Sequence, residues 1–75
     1  MPCVTPRGEL TPSGRGILEV LLRPVDVDGI ARATGLPVFR ARAALREFVE
    51  AGLAAEDAGR YAATPLGLER LKPQA

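Results

Sequence analysis

The chain has no histidine and a single cysteine, Cys3. No intramolecular disulfide and no metal site of cysteine and histidine ligands can therefore form. Tryptophan is absent and aromatic residues make up only 4% of the chain, so the core has to be aliphatic. No apolar run approaches the roughly 18 residues of a transmembrane helix, and no signal-peptide pattern opens the chain. We therefore expect a soluble, cytoplasmic protein without a metal or a cofactor.

Charge of either sign is also not in excess, since ten basic and nine acidic residues give a net charge of +1. This is not the strongly basic balance of a protein that coats nucleic acid, so any DNA contact must come from a local arrangement of cations. Nine of the ten basic residues are arginine. Arginine suits phosphate and guanine better than lysine does, although arginine richness is equally common in chains from GC-rich genomes.

Nothing in the sequence indicates catalysis. There is no glycine-rich phosphate loop after a strand and no nucleophile beside a base. Asp26 and Asp28 are both explained by the start of a helix. We expect no catalytic residue, no metal ligand and no small-molecule substrate.

Helix start and stop signals divide the chain into a tail, residues 1–10, and one domain, residues 11–75. Thr11 and Pro12 are typical of a helix start, and Pro24 is expected to end this first helix. Its inward-facing residues are predicted to be Ile17, Leu18, Leu21 and Leu22.

Two further helices follow in close succession. Asp26 is the predicted N-cap of the second, Gly29 stands where a capping box would have glutamate, and Gly35 ends the helix in a left-handed turn. Pro37 opens the third helix and Gly52 ends it. Stepping 100° per residue, the inner face of the third helix is Ala41, Ala44, Leu45 and Phe48.

The segment that follows predicts a β-hairpin. Asp57, Ala58 and Gly59 form a three-residue loop with Gly59 in the left-handed position, between strands at 53–56 and 60–63. Thr64 and Pro65 then repeat the signal of the first helix and open a last helix, which Pro73 ends.

This order of elements defines a mainly α fold with a small β-hairpin, a winged helix-turn-helix with a three-helix core, a two-stranded wing and a C-terminal helix. The run IARATGLPVFRARAALREFVEAGL resembles the helix-turn-helix core of winged-helix transcription regulators of the MarR, ArsR and Lrp kinds. The run RYAATPLGLERL is similar to their return strand and following helix, so the resemblance covers residues 17–71. The matching residues of the core are Ile30, Ala31, Thr34, Gly35, Leu36, Leu45, Phe48, Gly52 and Leu53.

A second resemblance is more local. Residues 24–61, from PVDVDGIARATGLP to GRY, resemble the small C-terminal winged domain of the DNA-processing protein A (DprA) family. Together the resemblances imply double-stranded DNA binding through the third, or recognition, helix, in transcription regulation and as a homodimer. The alternative is a DprA-like winged-helix module for protein–protein interaction with little or no DNA binding, which the near-neutral charge and the acidic wing also favour.

The outer face of the third helix holds the candidate DNA-binding residues. Arg42 or Arg46 could donate two hydrogen bonds to guanine, Phe39 could press on a thymine methyl group, and Arg40 suits a phosphate. The residues expected to enter the major groove are Val38, Phe39, Arg42, Ala43 and Arg46. The alternative is a solvated helix face without a binding function, on which Glu47 and Glu50 pair with the arginines.

Three further assignments remain open at this stage. Arg60 either contacts a phosphate or belongs to a wing that only covers the core, and Tyr61 is expected to pack against the third helix. Phe39 contacts DNA, folds back over Ala33 of the second helix, or anchors a protein interface. A dimer contact could come from the N-terminal segment or from the helix after Thr64.

Overall fold

The computed structural model describes residues 10–72, which form four helices and a two-stranded antiparallel hairpin. The predicted layout of three helices, a wing and a C-terminal helix is confirmed. The predicted tail lies outside the described residues except for Leu10, which packs against the core, and Pro73 lies outside them as well. The elements are α1 (Pro12–Val20), α2 (Val27–Thr34), α3 (Val38–Glu50), β1 (Ala54–Asp57), β2 (Arg60–Ala63) and α4 (Pro65–Leu71).

Three of the helices begin with the side-chain caps that the sequence predicts. In each, a backbone N–H of the first turn, which has no partner within the helix, donates to a side-chain oxygen three residues earlier. The pairs are Gly14 N–H with Thr11 Oγ1 (3.0 Å), Gly29 N–H with Asp26 Oδ1 (2.8 Å) and Gly67 N–H with Thr64 Oγ1 (3.1 Å). The remaining helix, α3, follows Pro37 and has no side-chain cap.

The first helix ends earlier than predicted, at Val20 rather than just before Pro24. Pro24 has no N–H to donate to the Val20 carbonyl group, and it disfavours helical backbone at Arg23, so the last turn opens. The prediction that Leu22 faces inward is therefore wrong, since Leu22 is 58% exposed. The other three predicted inward residues, Ile17, Leu18 and Leu21, are buried.

Gly29 of α2 has a packing role that the sequence does not reveal. A Cβ atom at this position would lie 2.5 Å from Cγ2 of Val25. The glutamate of a capping box would displace Val25, which is half-buried against the core. Gly35 then ends α2 at φ 75°, in the left-handed conformation predicted for it.

The hairpin β1–β2, hereafter the wing, differs from its prediction in the turn. Asp57 pairs with Arg60, so the loop has two residues, Ala58 and Gly59, instead of three. Both have positive φ, 53° and 83°, as a type I′ turn requires, and the twist of this turn matches the twist of the strands. The alanine at 58 disguises the turn, because glycine or asparagine usually occupies that position.

The wing is tied to the connection between α1 and α2. Tyr61 N–H donates to the Val25 carbonyl oxygen at 2.8 Å, and Val25 N–H donates to the Tyr61 carbonyl oxygen at 3.0 Å. Ala63 N–H donates to the carbonyl oxygen of Leu21 at 2.8 Å. Val25 thus acts as a one-residue third strand beside β2, which fixes the wing relative to the helices.

The last helix is held at both ends. At its start, Thr64 N–H donates to the Leu53 carbonyl oxygen at 3.0 Å. At its end, the Arg15 guanidinium donates to the carbonyl oxygens of Leu71 (2.6 Å) and Arg70 (3.1 Å), which satisfies carbonyl groups that a helix end leaves unpaired. Arg15 therefore joins α1 to α4 and is not part of a free basic surface.

A small aliphatic core lies between the helices and the wing. Its one aromatic member, Phe48, is fully buried and comes from α3. Tyr61 of the wing is half-buried and packs against this core. The buried core residues are Ile17, Leu18, Leu21, Ile30, Ala41, Ala44, Leu45, Phe48, Leu53 and Ala54.

Candidate nucleic-acid interface

The third helix has one buried and one exposed side, as its sequence predicts. All four residues of the predicted inner face, Ala41, Ala44, Leu45 and Phe48, are at most 5% exposed. Two of them are alanines, whose small side chains let α3 pack closely against α2. Because this stripe anchors the helix, its opposite side is presented to the surroundings along the whole length of 13 residues.

The structure places every predicted site residue of α3 on that exposed side. Val38 is 40% exposed and Phe39 is 69% exposed. The other members, Arg40, Arg42, Ala43 and Arg46, are exposed as well.

Phe39 is 69% exposed, whereas local packing over the second helix would leave its ring partly buried, so the local-packing interpretation is wrong. The Arg40 guanidinium carbon lies 5.9 Å from the ring centroid, within the range of a cation–π contact. The remaining interpretations for Phe39 are a contact with a base and a contact with a protein.

Arg42 and Arg46 lie together beside the wing. They border a groove of about 400 Å³ between α3 and the hairpin. The remaining lining residues are Val49, Glu50, Glu56 and Tyr61. None of the ion pairs found within residues 10–72 involves either arginine. The solvated-face interpretation expected Glu50 to pair with these arginines, and no such pair is found among those residues.

Arg40 lies on the other flank of α3. It borders a second groove, between α3 and α1, whose floor includes Ile17 and Leu36. A helix inserted in the major groove of B-DNA has a phosphate backbone on each side, because the groove is only about 12 Å wide. Arg40 therefore lies on the flank toward α1, together with Glu47, and the phosphate contact of Arg40 stays a prediction.

Arg60 is not brought together with the arginines of α3. Successive side chains of a strand alternate between the two faces of a hairpin. Arg60 lies on the face turned away from α3, where it shares a depression with Pro24, Ala55 and Ala62. Tyr61, the next residue, faces the α3 groove and packs against the core as predicted.

Glu56 lines the same groove as the arginines, whereas the sequence identified it, with Asp57, only as a wing carboxylate that a phosphate would repel. It is the cross-strand partner of Tyr61. Its Oε2 accepts a hydrogen bond from Gly59 N–H at 2.7 Å. The signal that could have found it is the hairpin register, which the three-residue loop misplaced by one residue.

Among residues 10–72 there is no group of three or more histidine, cysteine, aspartate or glutamate side chains able to hold a metal ion. Over the same residues, no helix has the length and hydropathy needed to cross a membrane. The candidate interface offers surface cations, carboxylates and an exposed aromatic ring.

Comparison with known proteins adds no family to this picture. No protein-family model, no curated protein and no solved structure matches the chain. The layout of three helices, an antiparallel hairpin and a C-terminal helix is compatible with a winged helix.

Proposed function

We propose that the domain binds double-stranded DNA through α3, as a small transcription regulator of the winged helix-turn-helix class. The observation that supports this most is the pair Arg42 and Arg46. They lie one helical turn apart on the exposed side of a helix whose opposite side is anchored in the core. Neither takes part in an ion pair described within residues 10–72.

The geometry of this pair suits base readout. Residues four apart in a helix are separated by about 6 Å along its axis, which is close to two base-pair steps. Each guanidinium can donate two hydrogen bonds to O6 and N7 of a guanine. Phe39 and Val38, one turn toward the helix start, offer apolar atoms for the methyl group of a thymine.

Phosphate contact is assigned to the α1 flank of the helix. Arg40 is exposed there and lies beside the groove between α1 and α3. Arg60 lies on the far face of the wing and is not assigned a contact on this flank. Since one such domain offers one recognition helix, the active form is proposed to be a homodimer on paired half-sites. The exposed Leu66 and Leu68 of α4 are available for the dimer contact.

The experiment is a titration of mixed-sequence duplex DNA at two salt concentrations, with the double variant Arg42→Ala, Arg46→Ala. Loss of two cations from the DNA-facing side of α3 should weaken binding at least about 10-fold, with the thermal midpoint nearly unchanged because both side chains are exposed. The matched control is Arg70→Ala, Lys72→Ala, which removes the same charge from the end of α4. No salt-dependent binding by the unmodified protein, or an equal loss in both variants, would refute the proposal.

A second candidate function is a winged-helix module for protein–protein interaction, of the kind that the DprA resemblance suggests. The specific observation in its favour is Phe39, whose 69% exposure is unusual for one of only two phenylalanines in the chain. Exposed aromatic side chains often anchor protein interfaces. Absence of DNA binding in the titration, at low salt as well, would make this the better account of α3.

A further inference from the structure

Glu56 is the charged residue through which the wing faces α3. Together with Tyr61 it forms the wing side of the groove that Arg42 and Arg46 border. Glu50, near the end of α3, lines the same groove. The groove on the wing side therefore sets two carboxylates beside Arg42 and Arg46, whereas the groove on the α1 side carries Arg40 and Glu47.

The carboxylate of Glu56 is held in place. Its Oε2 accepts a hydrogen bond of 2.7 Å from the backbone N–H of Gly59, which lies in the type I′ turn. A hydrogen bond from a backbone donor to a charged acceptor is stronger than one between neutral groups. This hydrogen bond favours a position of the negative charge near the tip of the wing.

The one cation of the wing cannot neutralise this charge. Glu56 and Arg60 lie on opposite faces of the hairpin. Glu56 shares a face with its cross-strand partner Tyr61, and Arg60, the residue before Tyr61, points to the other face because successive side chains of a strand alternate. DNA seated on α3 would bring one phosphate backbone toward Arg40 and the other toward Glu56. The first contact is attractive and the second is repulsive.

We propose that Glu56 is a specificity-determining residue that repels the phosphate backbone on the wing side of α3. DNA is then held by Arg40 and by the base contacts of Arg42 and Arg46, and sequence-independent binding through the backbone is kept weak. This inference rests on the proposed DNA-binding function. It assigns the wing the opposite of the role that a basic, groove-inserting wing has.

The test uses Glu56→Gln, because glutamine retains an oxygen that can accept from Gly59 N–H and only the charge is lost. Removing one like charge beside a phosphate should tighten binding of a mixed-sequence duplex by about three- to tenfold, most at low salt. The control is Asp57→Asn, which changes the charge equally on the far face of the wing and should alter affinity less than about twofold. Thermal midpoints of both variants show that the fold is intact.

The outcomes separate the two proposals. If the protein binds duplex DNA in a salt-dependent way and Glu56→Gln binds no more tightly, the role of Glu56 is refuted while the DNA-binding function stands. If both variants tighten binding equally, the effect is one of net charge and the role of Glu56 is refuted as well. If neither the protein nor Glu56→Gln binds at low salt, the DNA-binding function is refuted and this inference with it.

Discussion

Replacing Gly67 with alanine tests the closest approach in the fold. Gly67 lies in the first turn of α4, and a Cβ atom there would be 2.2 Å from the carbonyl oxygen of Leu53. Carbon and oxygen atoms tolerate a separation of about 3.3 Å, so the helix and this carbonyl would have to move apart by about 1 Å. The same oxygen accepts the 3.0 Å hydrogen bond from Thr64 N–H that seats α4 on the chain before the wing.

The cost of that movement follows from the contacts it disturbs. Weakening the hydrogen bond costs about 1 kcal/mol, and overpacking in a tight contact costs about 1–3 kcal/mol. The better helix propensity of alanine offsets at most about 1 kcal/mol. Gly67→Ala should therefore lower the free energy of unfolding by about 1–3 kcal/mol, although alanine is the better helix former.

Gly16 of α1 is the matched control. It is also a helical glycine, but nothing lies within 4 Å of a Cβ atom built on it. Gly16→Ala should raise the free energy of unfolding by about 1 kcal/mol.

The assay is thermal unfolding followed by circular dichroism at the helix band. In a chain of 75 residues, 1 kcal/mol corresponds to about 4–8 °C in the midpoint. The midpoint is thus expected to rise by that amount for Gly16→Ala and to fall by about 5–20 °C for Gly67→Ala. A rise for both substitutions would refute the close approach of α4 to Leu53 and with it the placement of the last helix.

Two further changes probe the turn and the joint between the first and last helices. Ala58→Asn should raise the free energy of unfolding, measured in urea, by about 0.5–1 kcal/mol, because asparagine tolerates the left-handed backbone that Ala58 has at φ 53°. The control Ala55→Asn, in extended β1, should not be stabilising. Arg15→Ala should lower the free energy of unfolding by about 1–3 kcal/mol, since two charge-assisted hydrogen bonds to the end of α4 are lost. The exposed control Arg23→Ala should change it by less than about 0.5 kcal/mol in chemical denaturation.

The helices could be predicted because their signals are local. A threonine or aspartate N-cap, such as Thr11 or Asp26, can be recognised from the residue itself and the three that follow it. The glycine that ends a helix, such as Gly35, can be recognised in the same local way. The inner stripe of α3 follows from its spacing alone. The same periodicity also predicts the exposed side of α3, because residues that do not lie on the inner stripe face outward. The predicted site residues of the helix are among them.

The remainder could not be predicted, because it depends on residues that meet only in the folded chain. The contacts that require glycine at positions 29 and 67 come from Val25 and Leu53, and the sequence gives no sign of either meeting. The partner of Arg15, at the other end of the chain, is equally hidden. In the wing, alanines at four of the eight strand positions leave no alternation from which a register could be read.

That register decides the electrostatics of the candidate interface. A three-residue loop would pair Glu56 with Arg60, so that opposite charges would attract each other across the strands on one face. The observed two-residue loop pairs Glu56 with Tyr61 instead, and a shift of one residue moves a side chain to the opposite face. The strand cannot slide back, because Tyr61 exchanges two hydrogen bonds with Val25 and packs against the core. The left-handed backbone of Ala58 is the strain that this anchoring imposes, and an acidic wing facing α3 is its consequence.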